Sequence, residues 1–241
     1  MKRIFFLAVC LLLGFSTTPS ANAQNKEHPV VFLAGDSTCA PRQESARPKW
    51  GWGEKLELFL DGYTVVNKAV GGMSTKSFRD RGMWDKLIGQ VEKGDVVLIQ
   101  FGHNDEKVNS EEKYAEAFTD YYRNLCRFVA EVREKEAVPV ILTSVSRRHF
   151  KSGEPRRTHG DYPAAAIKAA SDCGVVLLDI EETSFQWLEE LGDEESAKRF
   201  MFSVDGKDNT HFVELGATEV AEMVAKALKE CGDPYLSSLV K

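Results

Sequence analysis

The chain has 241 residues, of which 43% are hydrophobic and 28% charged, and its formal net charge at pH 7 is −6. That length and composition suffice for one well-buried domain, and no Pro-, Ser- or Gly-rich linker, low-complexity tract or internal repeat divides it. An acidic chain is poorly suited to nucleic acid or to an anionic membrane surface, so we expect neither as a partner.

The amino-terminal residues have the pattern of a secretory signal peptide. Two basic residues precede an apolar run over residues 4–15, and small and polar residues follow up to the motif Ala-Asn-Ala at 21–23. The run is too short to span a bilayer, and the final motif is typical of a cleavage site. We predict removal of residues 1–23 and export to the periplasm or the exterior; the alternative is a retained amino-terminal anchor. Loss of the two basic residues would lower the net charge of the remaining domain, residues 24–241, from −6 to −8.

Five short apolar runs predict buried strands. They begin at Val30, Tyr63, Asp95, Val138 and Val175. Because these runs lack strict alternation of apolar and polar residues, they fit a parallel sheet that is covered on both faces. Helical spacing between the runs implies right-handed crossovers, so the predicted fold class is α/β, a single-domain, doubly wound five-stranded parallel sheet. By analogy with flavodoxin-like folds we expect the strand order 2-1-3-4-5.

Two segments outside the strands have the clearest helical spacing, with apolar residues three or four positions apart. The first carries Tyr114, Phe118, Tyr121, Leu125, Phe128 and Val132, and the second carries Ala217, Val220, Ala221, Val224 and Leu228. Each set would form one face of a helix.

Four cysteines remain after the predicted cleavage: Cys39, Cys126, Cys173 and Cys231. An oxidising compartment permits disulfides, but four cysteines allow three full pairings, and the sequence does not choose among them. Cys126 and Cys173 lie in predicted helices, where they can equally be small buried residues.

Polar residues suited to acyl transfer follow the first three strands. Ser37 comes directly after strand 1, Gly72 after strand 2 and Asn104 after strand 3. In a doubly wound sheet, ligands bind outside the carboxyl ends of the strands, where the strand order reverses, so these loops should meet at one edge. Near the end of the chain, Asp208 precedes His211 by three positions, a spacing at which a carboxylate can orient an imidazole. Together these residues supply a nucleophile, oxyanion donors, a base and its orienting group.

Each of these residues also has a structural alternative. Ser37 could cap a helix, Gly72 could serve only a turn, and Asn104 with Asp105 could cap the next segment. The aspartate–histidine pair near the carboxyl end could cap the final helix. We expect Asp105 to be structural, and we expect His103 to brace its loop by hydrogen bonding rather than to act as a base.

Four sequence blocks, in this order, resemble the GDSL/SGNH hydrolase superfamily. They are Gly-Asp-Ser at 35–37, Gly72, Gly-His-Asn-Asp at 102–105 and Asp-Asn-Thr-His at 208–211. The segments LAGDST, GWGE, FGHND and DNTHF are similar to those of the rhamnogalacturonan acetylesterase branch. The chain has no G-x-S-x-G elbow, no H-E-x-x-H motif and no paired C-x-x-C motif, which disfavours an ordinary α/β-hydrolase and a zinc hydrolase.

The resemblance implies a secreted serine esterase that removes O-acetyl groups from a plant cell-wall polysaccharide, with rhamnogalacturonan, a pectin, as the first candidate. The implied catalytic residues are Ser37, His211 and Asp208, and no metal or organic cofactor is required. The implied oxyanion hole comprises the backbone N–H groups of Ser37 and Gly72 and the side-chain amide of Asn104. The alternatives are an SGNH esterase or lipase acting on other acetylated glycans, lipids or small esters, and a non-catalytic sugar-binding relative.

Two features bear on the substrate. Trp50 could offer a stacking surface for a sugar, whereas we expect Trp52 to pack in the core. The segment 146–159 is basic in an acidic protein and follows strand 4, so it should emerge at the catalytic edge. There Arg147 and Arg148 could bind the carboxylates of a galacturonate-containing polymer. The alternative for this segment is a solvated surface loop.

Overall fold

The computed structural model describes residues 29–241, and the predicted signal peptide, residues 1–23, lies outside them. Within the described residues the strands are β1 (Val31–Gly35), β2 (Val65–Asn67), β3 (Val96–Gln100), β4 (Val138–Leu142), β5 (Phe150–Lys151), β6 (Glu154–Pro155) and β7 (Val176–Leu178). Five of them form a parallel sheet in the order β2-β1-β3-β4-β7. The predicted α/β fold and the predicted order 2-1-3-4-5 are confirmed.

Helices cover both faces of this sheet. In chain order they are α1 (Thr75–Asp80), α2 (Met83–Ile88), α3 (Tyr122–Glu134), α4 (Tyr162–Cys173), α5 (Ile180–Ala197), α6 (Phe202–Asp205), α7 (Glu214–Glu230) and α8 (Pro234–Ser238). Successive strand residues point to opposite faces. Leu33 and Leu98 therefore pack in one core with α7, while Phe32 and Ile99 pack in the other with α2, α3 and α4.

Strand register sets the position of the loops that follow β1 and β3. Gly35, the last residue of β1, lies opposite Gln100, the last residue of β3, and Leu33 lies opposite Asn67, the last residue of β2. The chain therefore leaves all three strands at the same edge of the sheet. This is the edge at which the sequence predicts the functional residues.

The predicted helix at the carboxyl end is confirmed as α7, in which every residue of the predicted face is buried. The other helical prediction is wrong at its start. The helix begins with one π-helical turn (Ala117–Tyr121) before α3, so Tyr114 lies in the preceding loop, and Phe118 is 49% exposed. The hydrogen bonds of a π-helical turn span one residue more than those of an α-helix, so residues within and before this turn are rotated relative to the face that α3 buries.

The basic segment 146–159 contains a short antiparallel hairpin that the sequence does not signal. Phe150 of β5 lies opposite Pro155 of β6, and Lys151 lies opposite Glu154. Each strand has only two residues, too few for a readable alternation of apolar and polar side chains.

The described residues also bear on membrane association and disulfides. No helix within residues 29–241 combines the length and the apolar character needed to cross a bilayer. The four cysteines of this region are free thiols. Cys39 is fully buried in the turn after β1, and Cys126 and Cys173 pack against the core formed by α2, α3 and α4.

Gly35 has no room for a side chain, which allows a test of the packing beneath the site. A Cβ there would lie 2.4 Å from Cys39 Sγ and 2.8 Å from the backbone oxygen of Gln100. We expect Gly35→Ala to lower the free energy of unfolding by about 1–3 kcal/mol in a denaturant titration, as overpacking typically does. The control is Gly89→Ala, directly after α2, where a Cβ would have one atom of residues 29–241 within 4 Å, Asp85 O at 3.1 Å. Similar losses in both variants would contradict the crowding argument.

Candidate active site

Ser37 lies in a tight turn at the carboxyl end of β1. The turn is closed by a hydrogen bond of 3.0 Å from Ala40 N to Asp36 O. The Asp36 carboxylate also accepts hydrogen bonds from Thr38 N, at 2.9 Å, and from Thr38 Oγ1, at 2.8 Å. The next helical turn begins only at Glu44. Ser37 therefore caps no helix, and its hydroxyl is held by a turn that its neighbours fix.

His211 and Asp208 form a hydrogen-bonded chain with Ser37. His211 Nε2 lies 2.9 Å from Ser37 Oγ, and His211 Nδ1 lies 2.8 Å from Asp208 Oδ2. Asp208 Oδ1 also accepts the backbone N–H groups of His211, at 3.0 Å, and Thr210, at 3.1 Å. Helix α7 is capped at Val213 and takes no side-chain capping bond from this pair. The arrangement is that of a nucleophile, a base and a group that orients the base.

Hydrogen bonding and burial set the protonation of this chain. His211 Nδ1 donates to Asp208, which leaves Nε2 as the acceptor for the Ser37 hydroxyl. Burial lowers the pKa of His211, and Lys49 and Arg42 lower it further, whereas Asp208 acts in the opposite direction. Burial would raise the pKa of Asp208, but the hydrogen bonds and charge of His211, together with Lys49, hold it below its usual range. At neutral pH the imidazole is therefore neutral, as a general base must be.

Two basic residues that have no signal in the sequence contact the hydrogen-bonded Ser37, His211 and Asp208. Lys49 Nζ lies 3.0 Å from Asp208 Oδ2. Arg42 donates through its guanidinium to the backbone oxygen of Ser37. Lysine and arginine in loops have no characteristic spacing, so only the folded arrangement reveals these two contacts.

The predicted oxyanion donors lie in the turn of Ser37 and in the two neighbouring loops. Among residues 29–241, neither the N–H of Ser37 nor that of Gly72 has a hydrogen-bond partner. Gly72 has a φ of +80°, which favours glycine, and a Cβ on Gly71 would lie 3.7 Å from Ser37 Cβ, so this loop packs against the serine. Asn104 Nδ2 donates one hydrogen to Met73 O at 2.9 Å and has a second one to give. Donors of this kind can stabilise a negatively charged oxygen.

A buried carboxylate joins the loops that follow β1 and β3. Asp36 Oδ2 lies 3.1 Å from His103 Nδ1, while its other oxygen holds the Ser37 turn. Burial lowers the pKa of His103 to about 4, so its ring is neutral and donates to Asp36. His103 therefore braces its loop, as expected from the sequence, and its partner is Asp36 rather than Ser37.

A second carboxylate joins the loops that follow β2 and β3. Asp105 Oδ1 accepts hydrogen bonds from Thr75 N, at 2.9 Å, and from Thr75 Oγ1, at 2.5 Å. Burial raises the pKa of Asp105 to about 7. The expected structural role of Asp105 is confirmed, because it holds the start of α1 against the loop that carries Asn104.

Arg147 lies on the Asn104 side of the site. Its guanidinium pairs with Glu106 at 2.5 Å and donates to the backbone oxygen of His103 at 3.3 Å. To bind Arg147, a further carboxylate would have to share its guanidinium with Glu106 or displace Glu106 from it.

Arg148 lies on the opposite side, against the segment that contains Asp208. It is only 7% exposed, pairs with Asp193 and donates to Asn209 Oδ1 at 2.8 Å. Its backbone N–H also bonds to Asn209 O at 2.9 Å. The two consecutive arginines thus contact the two loops that flank the site, and each already has a carboxylate partner.

Trp50 lies beside the histidine segment, because its backbone N–H bonds to Phe212 O at 2.9 Å. The guanidinium carbon of Arg47 lies 3.3 Å from the centre of its ring, and Lys55 Nζ lies 3.8 Å from it. The two cations already form cation–π contacts with the Trp50 ring, so a sugar that stacked on this ring would contact them. Trp52 is fully buried in the core, as expected.

Solved structures with a similar fold include two bacterial proteins. Protein YXIM of Bacillus subtilis has a TM-score of 0.77 and 24% identity, over 86% of this chain and 58% of that protein. The acetylxylan esterase Axe2 of Geobacillus stearothermophilus has a TM-score of 0.60 and 19% identity, over 86% of this chain and 95% of that enzyme. At these identities the likeness shows the fold alone.

Sequence relatives cover nearly the whole chain. The rhamnogalacturonan acetylesterase RhgT of Bacillus subtilis (strain 168) is 39% identical over 221 residues, which are 87% of this chain and 94% of the relative. The probable rhamnogalacturonan acetylesterase YesY of the same organism is 37% identical over 212 residues, 88% of this chain and 97% of the relative. The model of the GDSL-like lipase/acylhydrolase family matches residues 33–235. The chain therefore belongs to the GDSL-like lipase/acylhydrolase family and resembles the rhamnogalacturonan acetylesterases within it.

Proposed function

We propose that this protein is a secreted carbohydrate O-acetylesterase that removes acetyl groups from a plant cell-wall polysaccharide, with rhamnogalacturonan as its first candidate. The identity of 37–39% to two rhamnogalacturonan acetylesterases supports a carboxylic ester hydrolase that acts on an acetylated carbohydrate. The observation that carries the proposal is the hydrogen-bonded chain of Ser37, His211 and Asp208, which is the arrangement that a serine esterase needs.

In the proposed acylation step, Ser37 Oγ attacks the carbonyl carbon of the acetyl ester. His211 Nε2 takes the hydroxyl proton as the new bond forms, and the Asp208 carboxylate stabilises the resulting imidazolium. The oxyanion accepts hydrogen bonds from the N–H groups of Ser37 and Gly72 and from Asn104 Nδ2. Because these donors are held by their own loops, they need little rearrangement as the charge develops.

Deacylation repeats the same proton transfers with water. Collapse of the first intermediate breaks the bond to the sugar oxygen, which leaves with the proton from His211, and the acetyl group stays on Ser37. Water then attacks the acetyl carbon and gives its proton to His211. The second collapse releases acetate and returns a proton to Ser37. The proposed mechanism uses only residues of this chain for proton transfer and requires no metal or organic cofactor.

A polymer that bears carboxylates fits the charge beside the proposed site. We propose Arg147 and Arg148 as contacts for a galacturonate-containing chain, and Trp50 as a further contact if a sugar displaces Arg47 or Lys55 from its ring. An arginine fork can hold a carboxylate through two charge-assisted hydrogen bonds. In the free protein Glu106 and Asp193 occupy these forks, so a uronate would exchange for a carboxylate that is already present.

Replacement of Ser37 tests the nucleophile. We expect Ser37→Ala to lower acetate release from both acetylated rhamnogalacturonan and an aryl acetate by roughly 10³-fold or more, without a change in melting temperature. A serine-reactive phosphonate should label Ser37 in the wild-type protein, as detected by mass spectrometry. Ser203→Ala, in α6, is the matched control and should retain full activity. Near-normal turnover of an aryl acetate by Ser37→Ala would refute the assignment.

The pH profile tests the base. Activity falls as pH drops through the pKa of His211, because the imidazolium cannot accept the serine proton. Since burial lowers this pKa from 6.5, the acid limb of kcat/KM should lie below pH 6.5. Lys49→Met removes one of the influences that lower the pKa of His211, so the acid limb should move to higher pH. Lys93→Met, at an exposed ion pair elsewhere, should leave the limb in place. A shift of the Lys49→Met limb to lower pH would contradict the proposed electrostatics.

Replacement of the two arginines tests the substrate class. Arg147→Ala/Arg148→Ala should lower kcat/KM roughly tenfold or more on acetylated rhamnogalacturonan, the scale of a lost charge-assisted hydrogen bond, while sparing an aryl acetate and neutral acetylated xylan. Added salt should narrow the part of the difference that comes from Arg147, the more exposed of the two, because salt screens solvated charges most. Lys151→Ala/Arg156→Ala, on the exposed hairpin of the same segment, is the control.

Two other outcomes of this comparison would contradict the proposed role of the arginines. An equal loss on all three substrates would mean that they support the loops rather than select the substrate. No loss on any substrate would mean that segment 146–159 is a solvated surface loop without a role in substrate binding.

A further inference from the structure

The orientation of the Asn104 amide decides whether it can serve the proposed reaction. Only Nδ2 can donate a hydrogen bond to an oxyanion, while Oδ1 would repel it. The two ends of an amide have nearly the same shape, so packing alone does not distinguish them. Hydrogen bonds that accept only one orientation are needed.

Two contacts meet this requirement. Met73 O can only accept, and it lies 2.9 Å from Asn104 Nδ2. The Lys107 ammonium can only donate, and it lies 2.6 Å from Asn104 Oδ1. With the amide reversed, two acceptors would face each other and two donors would face each other. The pair therefore fixes a single orientation and leaves the second Nδ2 hydrogen for another acceptor.

Lys107 reaches Asn104 because the loop after β3 turns back on itself. The backbone N–H of Lys107 bonds to the backbone oxygen of Asn104 at 3.2 Å, which brings both side chains to the same turn. Within residues 29–241, Lys107 Nζ forms no ion pair with a carboxylate, and Asn104 Oδ1 is its hydrogen-bond partner. Burial lowers the pKa of Lys107, and the charges of Lys113 and Arg147 lower it further, whereas Asp36 and Glu106 act in the opposite direction. Lys107 therefore gains additional attraction when negative charge develops at the Asn104 amide.

We propose that Lys107 is a positioning residue of the esterase site, which holds the Asn104 amide with Nδ2 toward the oxyanion and polarises that donor through Oδ1. The inference rests on the proposed function, because it has meaning only if an oxyanion forms at Ser37. A hydrogen bond accepted by the amide oxygen strengthens the one that the amide nitrogen donates, since linked hydrogen bonds polarise one another.

The test is a double-mutant cycle on an aryl acetate. Asn104→Ala removes the donor and should lower kcat by roughly 10²- to 10³-fold, and Lys107→Met should lower it by roughly ten- to a hundredfold with KM unchanged within about twofold. If Lys107 acts through the amide, Lys107→Met should cause no further loss in the Asn104→Ala background. Lys107→Arg, which keeps a cationic donor, should recover part of the kcat lost in Lys107→Met.

The control is Lys113→Met, since Lys113 lies near Gly72 but has no hydrogen bond to Asn104. It should change kcat by less than about threefold. The inference would be overturned if the losses of Lys107→Met and Asn104→Ala multiplied in the double variant, if Lys107→Met raised KM alone, or if Lys113→Met lost as much as Lys107→Met. Melting temperatures of all variants separate a local effect from unfolding.

The same experiment distinguishes this inference from the function on which it rests. Full activity in both Asn104→Ala and Ser37→Ala would reject the proposed function itself. Loss of activity in both of these variants, with full activity in Lys107→Met, would reject only the role of Lys107.

Discussion

The buried carboxylate of Asp36 is the constraint on which the geometry of the site depends. A carboxylate removed from water is costly unless hydrogen-bond donors surround it. Here two donors come from Thr38, in the turn of Ser37, and the third is His103, in the loop of Asn104. The bonds that make the charge tolerable therefore also fix the serine turn relative to the asparagine loop. Removing any one of them would leave both a partly unpaired charge and a looser site.

The features that the sequence could predict are those that follow from local chemistry. Parallel strands covered on both faces must be apolar along their whole length, and this reveals β1 and β3 as runs without alternation. Because such strands end at one edge, residues that follow them can be expected to meet across the chain. The contacts of Asp36 with His103 and of Asp105 with Thr75 are of this kind, because each joins loops that follow two different strands. The contact between Ser37 and His211 is expected from the family resemblance instead, since His211 follows no strand.

The features that could not be predicted depend on backbone detail or on long side chains. The π-helical turn before α3 shifts the phase of a pattern that otherwise predicts one helix, so Phe118 is exposed although the pattern predicts it on the buried face. Lys49 contacts a residue 159 positions away, and nothing in its own neighbourhood marks it for that partner. The sequence suggests a free stacking surface at Trp50, but in the structure Arg47 and Lys55 lie over its ring. The partners of long, flexible cationic side chains depend on the folded structure, so the local sequence does not reveal them.

The hydrogen bond between Ser37 and His211 joins residues that are 174 positions apart. The turn that carries Ser37 lies near the beginning of the described residues, whereas His211 lies near their end, where a hydrogen bond of 2.7 Å from Met201 N to His211 O holds it. Contacts between such distant segments form only after most of the chain is in place. An incompletely folded chain therefore lacks the contact between Ser37 and His211, and the proposed hydrolytic activity would begin only on completion of the fold. The onset of acetate release during refolding would then report the last stage of folding. This stage would follow formation of the sheet.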